Sequence, residues 1–381
     1  MFEIIFWIIF FLITTHYFIF NILIIIFSKF FKIKHLMNDQ LPTISFVVAA
    51  YNEERIIREK ILNDLQLDYP KDKLQIIIVS DGSSDSTPQI VGEFSSQGVI
   101  SMHRPERQGK TAALNRALEV AKNEIIVFSD ANSMFKKDAL KKLVRHFADQ
   151  SIGGVCGRKA VKLNQDRSAS TGDNLYWNVE SIIKQAESNL GSIPTADGEI
   201  FAMRKELYQP IPNFIINDDM AITFNIITQG KRVIYDIEAI TEEDASINLK
   251  DDYNVKARMV YGSLQILEHF FQELNPLNSW FGFQFFVHKT LRYFMWVLLM
   301  TIYISNALII GKQPFYFAFF ILQNLFYVFS IIGYFLNKLN INIKIFYIPY
   351  YYCNVNLAAY HGYCFYREKQ NTVNIWKKAA R

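Results

Sequence analysis

Two short clusters of carboxylate and amide side chains have the composition needed for chemistry on a metal-bound phosphate. Asp130 and Asn132 stand two residues apart, just after the predicted strand at residues 124–128. Such oxygens, completed by those of a diphosphate, form the ligand sets that Mg²⁺ and Mn²⁺ favour. Asp218 and Asp219 begin a second cluster, at the start of a predicted helix. They either stabilise that helix N-terminus or supply a general base for an attacking hydroxyl group.

A third group of residues suits the binding of a nucleotide base. Ala50, Tyr51 and Glu53 directly follow a predicted buried strand. A turn from strand to helix exposes backbone groups against which a base can bind. The alternative is an ordinary turn, with Asn52 as the N-cap of the next helix.

Asp81 ends another predicted strand, where its carboxylate can accept hydrogen bonds from a base or a ribose. Asp85 and Ser86, just beyond it, have helix capping as their alternative role. Gly109 permits close approach of the backbone, and Lys110 begins a helix. Because a lysine is unfavourable at a helix N-terminus, the pattern favours an anionic partner there, although no Walker A loop is present.

Between residues 41 and 276 short strands alternate with amphipathic helices. The pattern predicts strands at 44–49, 74–79 and 124–128, and helices at 53–67, 86–95, 110–121, 137–146 and 220–228. This alternation predicts an α/β domain with a mostly parallel sheet and helices on both faces. Ligands bind such sheets at the carboxyl ends of the strands, where the polar residues lie.

Both ends of the chain are strongly apolar. Residues 2–27 are long enough to span a bilayer as a helix. We expect a retained anchor rather than a cleaved signal peptide, because no basic residue precedes the segment and no small-residue cleavage site follows it. Lys29, Lys32 and Lys34 follow closely, which places the N-terminus outside and residue 30 onward in the cytosol.

Two more spans are expected at residues 283–310 and 315–336, joined by an external turn at 311–314. Residues 345–366 are long enough to span but contain Pro349 and polar residues. We favour an interfacial or re-entrant helix there, with the basic tail in the cytosol, over a third C-terminal span.

The expected organisation is therefore a transmembrane helix at 1–30, a cytosolic domain at 41–280, two transmembrane helices at 281–337 and the ambiguous segment at 343–381. A net charge of +4 gives no sign of a nucleic-acid partner. The three cysteines have no metal-binding spacing and suit free thiols in a reducing compartment.

Taken in order, the five motifs at 50–53, 81–83, 109–110, 130–132 and 218–219 resemble the membrane-bound family-2 glycosyltransferases of the GT-A fold. The resemblance covers residues 42–265. The chain is similar to the bacterial exopolysaccharide group that includes cellulose, hyaluronan and poly-N-acetylglucosamine synthases, and the resemblance continues in residues 288–292 and 376–381. The ordered set is specific for fold and reaction type, and less so for substrate.

The resemblance implies roles for the motif residues. Ala50, Tyr51, Glu53 and Asp81 would hold the nucleoside, and Lys110 would lie near the nucleotide. Asp130 and Asn132 would form the metal motif, with Asn132 in place of the usual second aspartate. Asp219 would be the catalytic base, and the acceptor side would include Asp218, Gly198 and Arg204.

One window departs from the family pattern. Processive synthases carry Gln-x-x-Arg-Trp after the catalytic domain, whereas residues 255–259 here read Val-Lys-Ala-Arg-Met. Arg258 remains and would bind the diphosphate. Trp177 or Tyr176 is the candidate replacement for the missing tryptophan beneath an acceptor sugar, with core packing as the alternative. Polymerisation and single transfer therefore both stay open.

The predicted function is inverting, metal-dependent transfer from a nucleotide-diphosphate sugar, preferably a UDP-sugar, to a glycan or lipid-linked saccharide at the inner membrane face. Membrane lipids and polysaccharide-export proteins are the expected further partners. A non-catalytic scaffold is the alternative of another class, and the carboxylates at 81, 130 and 219 argue against it. A nucleotidyltransferase would need a basic pyrophosphate loop, which residues 49–54 lack.

Overall fold

The computed structural model describes residues 1–162, 168–244, 249–339, 341 and 343–368. The helices are α1 (Phe2–Phe30), α2 (Ile57–Leu65), α3 (Thr87–Gly92), α4 (Lys110–Val120), α5 (Ala139–Val144), α6 (Ser168–Leu190), α7 (Asp218–Thr228), α8 (Leu249–His269), α9 (Trp280–Tyr293), α10 (Met295–Ile309), α11 (Pro314–Lys338) and α12 (Lys344–Arg367). The strands are β1 (Ile44–Ala50), β2 (Leu74–Asp81), β3 (Val99–Arg104), β4 (Ile125–Asp130), β5 (Met134–Phe135), β6 (Ile152–Lys162), β7 (Phe201–Arg204) and β8 (Arg232–Asp244).

The chain divides into two compact units. The sheet unit runs from Ile24 to the end of β8 and also includes Gln265–Glu273. Among the described residues, the helical unit contains Met1–Leu23, the part of α8 up to Leu264, and residues 274–368. The predicted basic tail from Lys369, including residues 376–381, lies outside the described residues.

The sheet unit is an α/β domain around one eight-stranded sheet of order β3-β2-β1-β4-β7-β6-β8-β5. Strands β3, β2, β1 and β4 are parallel, as the alternating pattern predicted. Strand β7 is antiparallel to both β4 and β6, and β5 is antiparallel to β8. The predicted fold class is therefore confirmed, with a mixed sheet whose parallel half carries the first four motifs.

Strand β1 forms the centre of the parallel half. Its residues pair with β2 on one side and β4 on the other, so that Val47 lies opposite Ile77 and Phe128. Nearly every residue of β1 is buried, which explains its continuous apolar sequence, because a central strand is covered on both faces. The register continues to the carboxyl ends, where Ala49 is opposite Asp130.

The first helix of the sheet unit begins later than predicted, at Ile57 rather than Glu53. The residues before it form a loop that is hydrogen-bonded to the loop after β2. The amide of Asn52 donates to Ser83 Oγ at 3.0 Å, and the Asn52 side chain accepts from the amide of Ser84 at 2.8 Å. Asn52 has φ of 53°, in the left-handed region that asparagine tolerates. Its expected alternative role as an N-cap is therefore wrong, because its side chain joins two loops.

In the helical unit, α1 and α11 are long and apolar enough to cross a membrane, with mean hydropathy of 2.3 and 1.9. Phe6 of α1 is fully buried against Ile302, Ile309 and Tyr316. The indole N–H of Trp7 donates to the hydroxyl of Tyr316 at 3.1 Å. The N-terminal helix therefore packs against the C-terminal helices rather than standing alone.

The continuous span expected at residues 283–310 is instead a bent pair, because α9 and α10 meet at an angle of 72°. A π-helical turn at Phe286–Thr290 buries His288 and Lys289, and the regular helix breaks at Phe294. Helix α10 alone is about 22 Å long, shorter than the ~30 Å hydrocarbon core. Among the described residues, α12 is not one of the helices apolar enough to count as a span.

Gly82 provides a test of how the loop after β2 is built. It has φ of +69°, and a Cβ placed there would lie 2.5 Å from Cβ of Arg107 and 2.7 Å from its Cα. We expect Gly82→Ala to destabilise the detergent-solubilised protein by about 2 kcal/mol or more, because the backbone of either loop must move. The measurement is the midpoint of thermal unfolding. Gly92→Ala is the matched control, since a Cβ at Gly92 has no neighbour within 4 Å; equal losses in both variants would contradict this account.

Candidate active site

The parallel register gathers polar residues at one edge of the sheet. Asp81 and Asp130 end β2 and β4, and Ala50 ends β1 between them. The carboxyl ends of neighbouring parallel strands meet at the same edge. Three motifs that lie far apart in the sequence are thereby brought together.

Asp81 is buried and shapes the loop that precedes α4. Its Oδ2 accepts from the amides of Gln108 at 2.9 Å and Gly109 at 2.7 Å. Its Oδ1 pairs with the guanidinium of Arg116 at 2.9 Å. Both carboxylate oxygens therefore have partners within the protein. The predicted contact of Asp81 with a nucleoside stays a prediction, and its observed role is to fix the start of α4.

Tyr51 and Arg107 form a flat surface at the same edge. The guanidinium carbon of Arg107 lies 3.7 Å from the centre of the Tyr51 ring, so the two planar groups are in contact. Glu53 lies beside them, with its amide bonded to Thr87 Oγ1 at 2.8 Å. Planar aromatic and guanidinium groups suit contact with a nucleotide base, and the binding of a nucleoside by residues 50–53 stays a prediction.

Lys110 connects the end of β4 to the start of α7. Its Nζ lies 2.8 Å from Asp130 Oδ1 and 3.7 Å from Asp218 Oδ2. Burial would lower the pKa of Lys110, but the attraction of Asp130 and Asp218 outweighs burial and raises it. The lysine is therefore a permanent positive charge among the acidic groups of this edge.

Asp219 has the properties of a general base. Its Oδ2 accepts from the amide of Gly198 at 3.3 Å, and its Oδ1 accepts from the amide of Met220 at 2.7 Å. Burial and the neighbouring Asp218 raise the pKa of Asp219 to about 7. Burial also raises the pKa of Asp218 itself. A carboxyl group with such a pKa can accept a proton near neutral pH.

Gly198 contacts the same cluster, and its predicted place on the acceptor side stays a prediction. A Cβ at Gly198 would lie 3.2 Å from Lys110 Nζ and 3.4 Å from Asp219 Cβ. The absence of a side chain therefore leaves space between the lysine and the candidate base.

The residues around Asp130 fit a hard divalent cation. Asp130, Glu199 and Glu243 each offer a carboxylate oxygen, and these atoms lie within 4.8 Å of one another. The Nδ2 atom of Asn132 is buried without a hydrogen-bond partner. Because amide nitrogen and oxygen are interchangeable by rotation, Asn132 can present its oxygen instead. Oxygen donors of this kind suit Mg²⁺ or Mn²⁺.

Lys159 is the counter-ion of this acidic group. Its Nζ lies 2.7 Å from a carboxylate oxygen of Glu199 and 2.7 Å from one of Glu243. The ring of Trp177 lies with its centre 5.1 Å from the same Nζ. Trp177, predicted as a stacking surface, is therefore beside the acidic group, while the side chain of Tyr176 lies outside the described residues.

The predicted acceptor role of Arg204 is wrong. Arg204 lies opposite Ile125, at the amino end of β4, and so about 16 Å along the strand from Asp130. Its buried guanidinium donates to the carbonyls of Ile152, Phe147 and Asp149. These bonds hold β7 to the loops at the opposite edge of the sheet. Arg258 belongs to the helical unit, and its predicted contact with the diphosphate stays a prediction.

Several charged residues of the site were not found from the sequence. The sequence pattern predicted none of the segments that carry these residues. Lys159 lies in β6, Glu243 lies in β8, and Glu199 lies in the segment just before β7. Glu199 directly follows Gly198, which was the available signal. Lys60 and Asp64 were also missed, although they stand in the apolar stripe of α2, where charged residues are unexpected.

Comparison with known proteins agrees with this geometry. The sequence profile of Glycosyl transferase family 2 matches residues 45–211. The chain is 28% identical over 285 residues to the "Probable glycosyltransferase YdaM" of Bacillus subtilis (strain 168), covering 70% of this chain and 67% of that protein. It is 23% identical over 273 residues to the "Poly-beta-1,6-N-acetyl-D-glucosamine synthase" of Staphylococcus aureus (strain COL), covering 70% and 65%. The matches thus span about two thirds of the length of these relatives.

Among solved structures, the chain resembles the mannosyltransferase PcManGT from Pyrobaculum calidifontis, determined in complex with GDP-Man and Mn²⁺. The TM-score is 0.71 at 21% sequence identity, over 96% of this chain and 99% of that one. At this identity the likeness establishes the fold. The profile match and the named relatives support a family-2 glycosyltransferase domain. The chain therefore carries a family-2 glycosyltransferase domain with the GT-A fold, whose sequence match covers residues 45–211.

Proposed function

We propose that the protein transfers a sugar, with inversion, from a nucleotide-diphosphate sugar to a hydroxyl group of a glycan or lipid-linked acceptor at the inner face of a membrane. The observation that carries the proposal is the position of Asp219. Asp219, the candidate base, lies close enough to Lys110 to interact with its charge, and Lys110 pairs with Asp130 of the metal motif. Inversion requires the base and the leaving diphosphate to lie on opposite sides of the sugar.

The proposed roles follow the order of the site. Ala50, Tyr51, Glu53 and the loop fixed by Asp81 bind the nucleoside. Asp130 and Asn132 hold Mg²⁺ or Mn²⁺, which neutralises charge on the departing diphosphate when bound. Lys110 contributes a fixed positive charge to the same group.

The acceptor side consists of Asp218, Gly198 and Trp177. Asp219 removes the proton of the acceptor hydroxyl as its oxygen forms a bond to the anomeric carbon. The bond from that carbon to the diphosphate breaks in the same step. Transfer of one sugar and polymerisation both use this arrangement. Polymerisation further requires that the product stay bound as the next acceptor. Arg258 is proposed as a further diphosphate ligand.

The donor is proposed to be a UDP-sugar, with a GDP-sugar as the second candidate. The second candidate is included because the solved neighbour contains GDP-Man. A panel of UDP- and GDP-sugars, given to the detergent-purified protein with Mn²⁺, distinguishes the two through the nucleotide released. Product mass then separates single addition from polymer.

We also propose a multi-pass protein of the cell membrane, with α1 spanning and the sheet unit in the cytosol. Lys29 and Lys32 after the apolar core of α1 support this orientation. Within the helical unit, Lys312 lies 2.9 Å from Glu3, which suits a shared external location of the N-terminus and the turn before α11. Polysaccharide-export proteins remain the proposed partners.

Asp219→Asn should reduce transfer by about 10²- to 10⁴-fold, because the amide cannot accept the hydroxyl proton. In the wild-type protein, kcat/KM should rise with pH through about 7, where Asp219 loses its proton. Because folding raises the pKa of Asp219, its protonated form stabilises the folded protein at pH values below the pKa in the unfolded chain. This stabilisation is lost as the pH rises through about 7. The inactive variant should therefore be no less stable than wild type at pH 8.

The control for that variant is Asp68→Asn, which removes an exposed carboxylate paired with Lys141. It should leave transfer unchanged. Full transfer by Asp219→Asn, or a pH profile that is flat from 6 to 8, would exclude Asp219 as the base.

Removal of divalent ions should abolish transfer, and Mn²⁺ should restore it. Asn132→Asp should tighten Mn²⁺ binding, since a carboxylate is a stronger ligand than an amide, whereas Asn132→Ala should weaken it about tenfold. Electron paramagnetic resonance of free Mn²⁺ measures both. Undiminished transfer in EDTA would show that Asp130 and Asn132 do not act through a metal ion.

Labelling with a membrane-impermeant maleimide tests the orientation. In intact cells, Lys312→Cys should react, and Asp72→Cys in the sheet unit should react only after lysis. The native cysteines Cys156, Cys353 and Cys364 are replaced by serine beforehand. Reaction of Asp72→Cys in intact cells would contradict a cytosolic sheet unit.

A further inference from the structure

Helix α2 carries an ion pair inside the core of the sheet unit. Its inward face consists of Ile57, Lys60, Ile61 and Asp64, and each of these residues is 0% exposed. Nζ of Lys60 lies 2.8 Å from Oδ1 of Asp64. The spacing of these four residues is that of the apolar face of an amphipathic helix. Two of the four positions nevertheless carry charged side chains, where apolar side chains are expected.

Stability alone does not account for this pair. Two charges lose their hydration on burial, and well-packed apolar residues of similar volume are often equally or more stabilising. The other contacts of its atoms therefore indicate what the pair does. Asp64 contacts only Lys60 among the ion pairs of the described residues, whereas Lys60 has a second polar partner.

That second partner belongs to the turn that follows β4. Lys60 Nζ donates to the carbonyl oxygen of Ser133 at 2.7 Å. The amide of Ser133 in turn donates to the carbonyl of Asp130 at 3.2 Å, which closes a turn containing Asn132. The ammonium group thus grips the backbone of the segment that carries both proposed metal ligands.

Aromatic rings leave the ammonium group little freedom. The ring centres of Phe46 and Phe135 lie 4.9 and 4.8 Å from Nζ. A cation beside two aromatic rings is attracted by them and is kept from water. In this carbon-lined space, a hydrogen bond to a carbonyl is strong and directional.

A second residue of α2 holds the far side of the same turn. Nδ2 of Asn63 donates to the carbonyl of Phe135 at 3.0 Å, and Oδ1 accepts from the Phe135 amide at 2.9 Å. The hydroxyl of Ser133 donates to Glu243, another oxygen of the acidic group. Helix α2 therefore fixes the turn at two points, and Ser133 links it to the carboxylates.

We propose that Lys60, paired with Asp64, is a positioning residue for the metal-binding turn: it sets the backbone from which Asp130 and Asn132 present their oxygens. Asn63 completes this support. The inference rests on the proposed metal-dependent function. Residues behind metal ligands commonly control affinity through the orientation of those ligands.

The test replaces the pair by carbon in the full-length, detergent-purified protein. Lys60→Met combined with Asp64→Leu removes both charges and keeps the volume similar. We expect Mn²⁺, added alone and followed by electron paramagnetic resonance, to bind at least about tenfold more weakly. If the pair had a purely structural role, the midpoint of thermal unfolding would fall in proportion to the loss of Mn²⁺ affinity. We expect no such proportional fall.

A conservative pair separates position from packing. Lys60→Gln combined with Asp64→Asn is neutral, but its amide can still donate toward the carbonyl of Ser133. It should recover most of the Mn²⁺ affinity lost by the apolar pair. The matched control is Lys142→Met with Asp138→Leu, an ion pair of the same i,i+4 spacing whose side chains are 28% and 52% exposed. It should bind Mn²⁺ as the wild type does.

The outcomes are distinct. Wild-type Mn²⁺ affinity in the folded apolar pair would overturn the proposal. If that pair does not fold, Asn63→Ala decides, because weaker Mn²⁺ binding supports the positioning of the turn by α2 and unchanged binding overturns it. If the wild-type protein itself binds no Mn²⁺, the failure lies with the proposed metal dependence, which transfer assays in EDTA identify independently.

Discussion

The site depends on one ammonium group shared between two acidic segments. Lys110 pairs with Asp130 at the end of β4 and lies 3.7 Å from Asp218 at the start of α7. The lysine and the two acidic segments belong to three different elements, so the lysine must be placed accurately. Asp81 supplies that accuracy, because its carboxylate binds the amides of Gln108 and Gly109, directly before the lysine. The buried carboxylate of Asp81 thus fixes the position of the Lys110 ammonium group. That ammonium group in turn attracts the carboxylates of Asp130 and Asp218.

The parallel half of the domain was predictable because its signals are local. Each of β1, β2 and β4 is a short apolar run followed by polar residues, and parallel strands end at one edge. Predicting those strands was therefore enough to bring Asp81 and Asp130 together. The start of α4 at Lys110 was predicted correctly for the same reason, since glycine and an apolar periodicity mark it.

The other half was not predictable, because the direction of a strand is a long-range property. Strand β7 is antiparallel to β4, so its approach through Gly198 lies at the site and its end at Arg204 lies at the opposite edge. Nothing in the local sequence records that reversal. Lys159 and Glu243 likewise meet only because β6 and β8 pair in parallel. Charged residues in an apolar stripe, as in α2, are a local sign of buried polar contacts that a search for motifs does not detect.

The hydrogen bonds between the loop at residues 51–54 and the loop at 83–87 have a consequence for binding entropy. Asn52 and Ser83, Asn52 and Ser84, and Glu53 and Thr87 are paired within the protein itself. Ordering a flexible residue costs about 1–2 kcal/mol, and binding free energy is reduced by that amount when a loop must become ordered around a ligand. Bonds within the protein that order these two loops remove part of that cost. Under the proposed function, a nucleotide base beside Tyr51 would therefore bind with a smaller loss of conformational entropy in the protein.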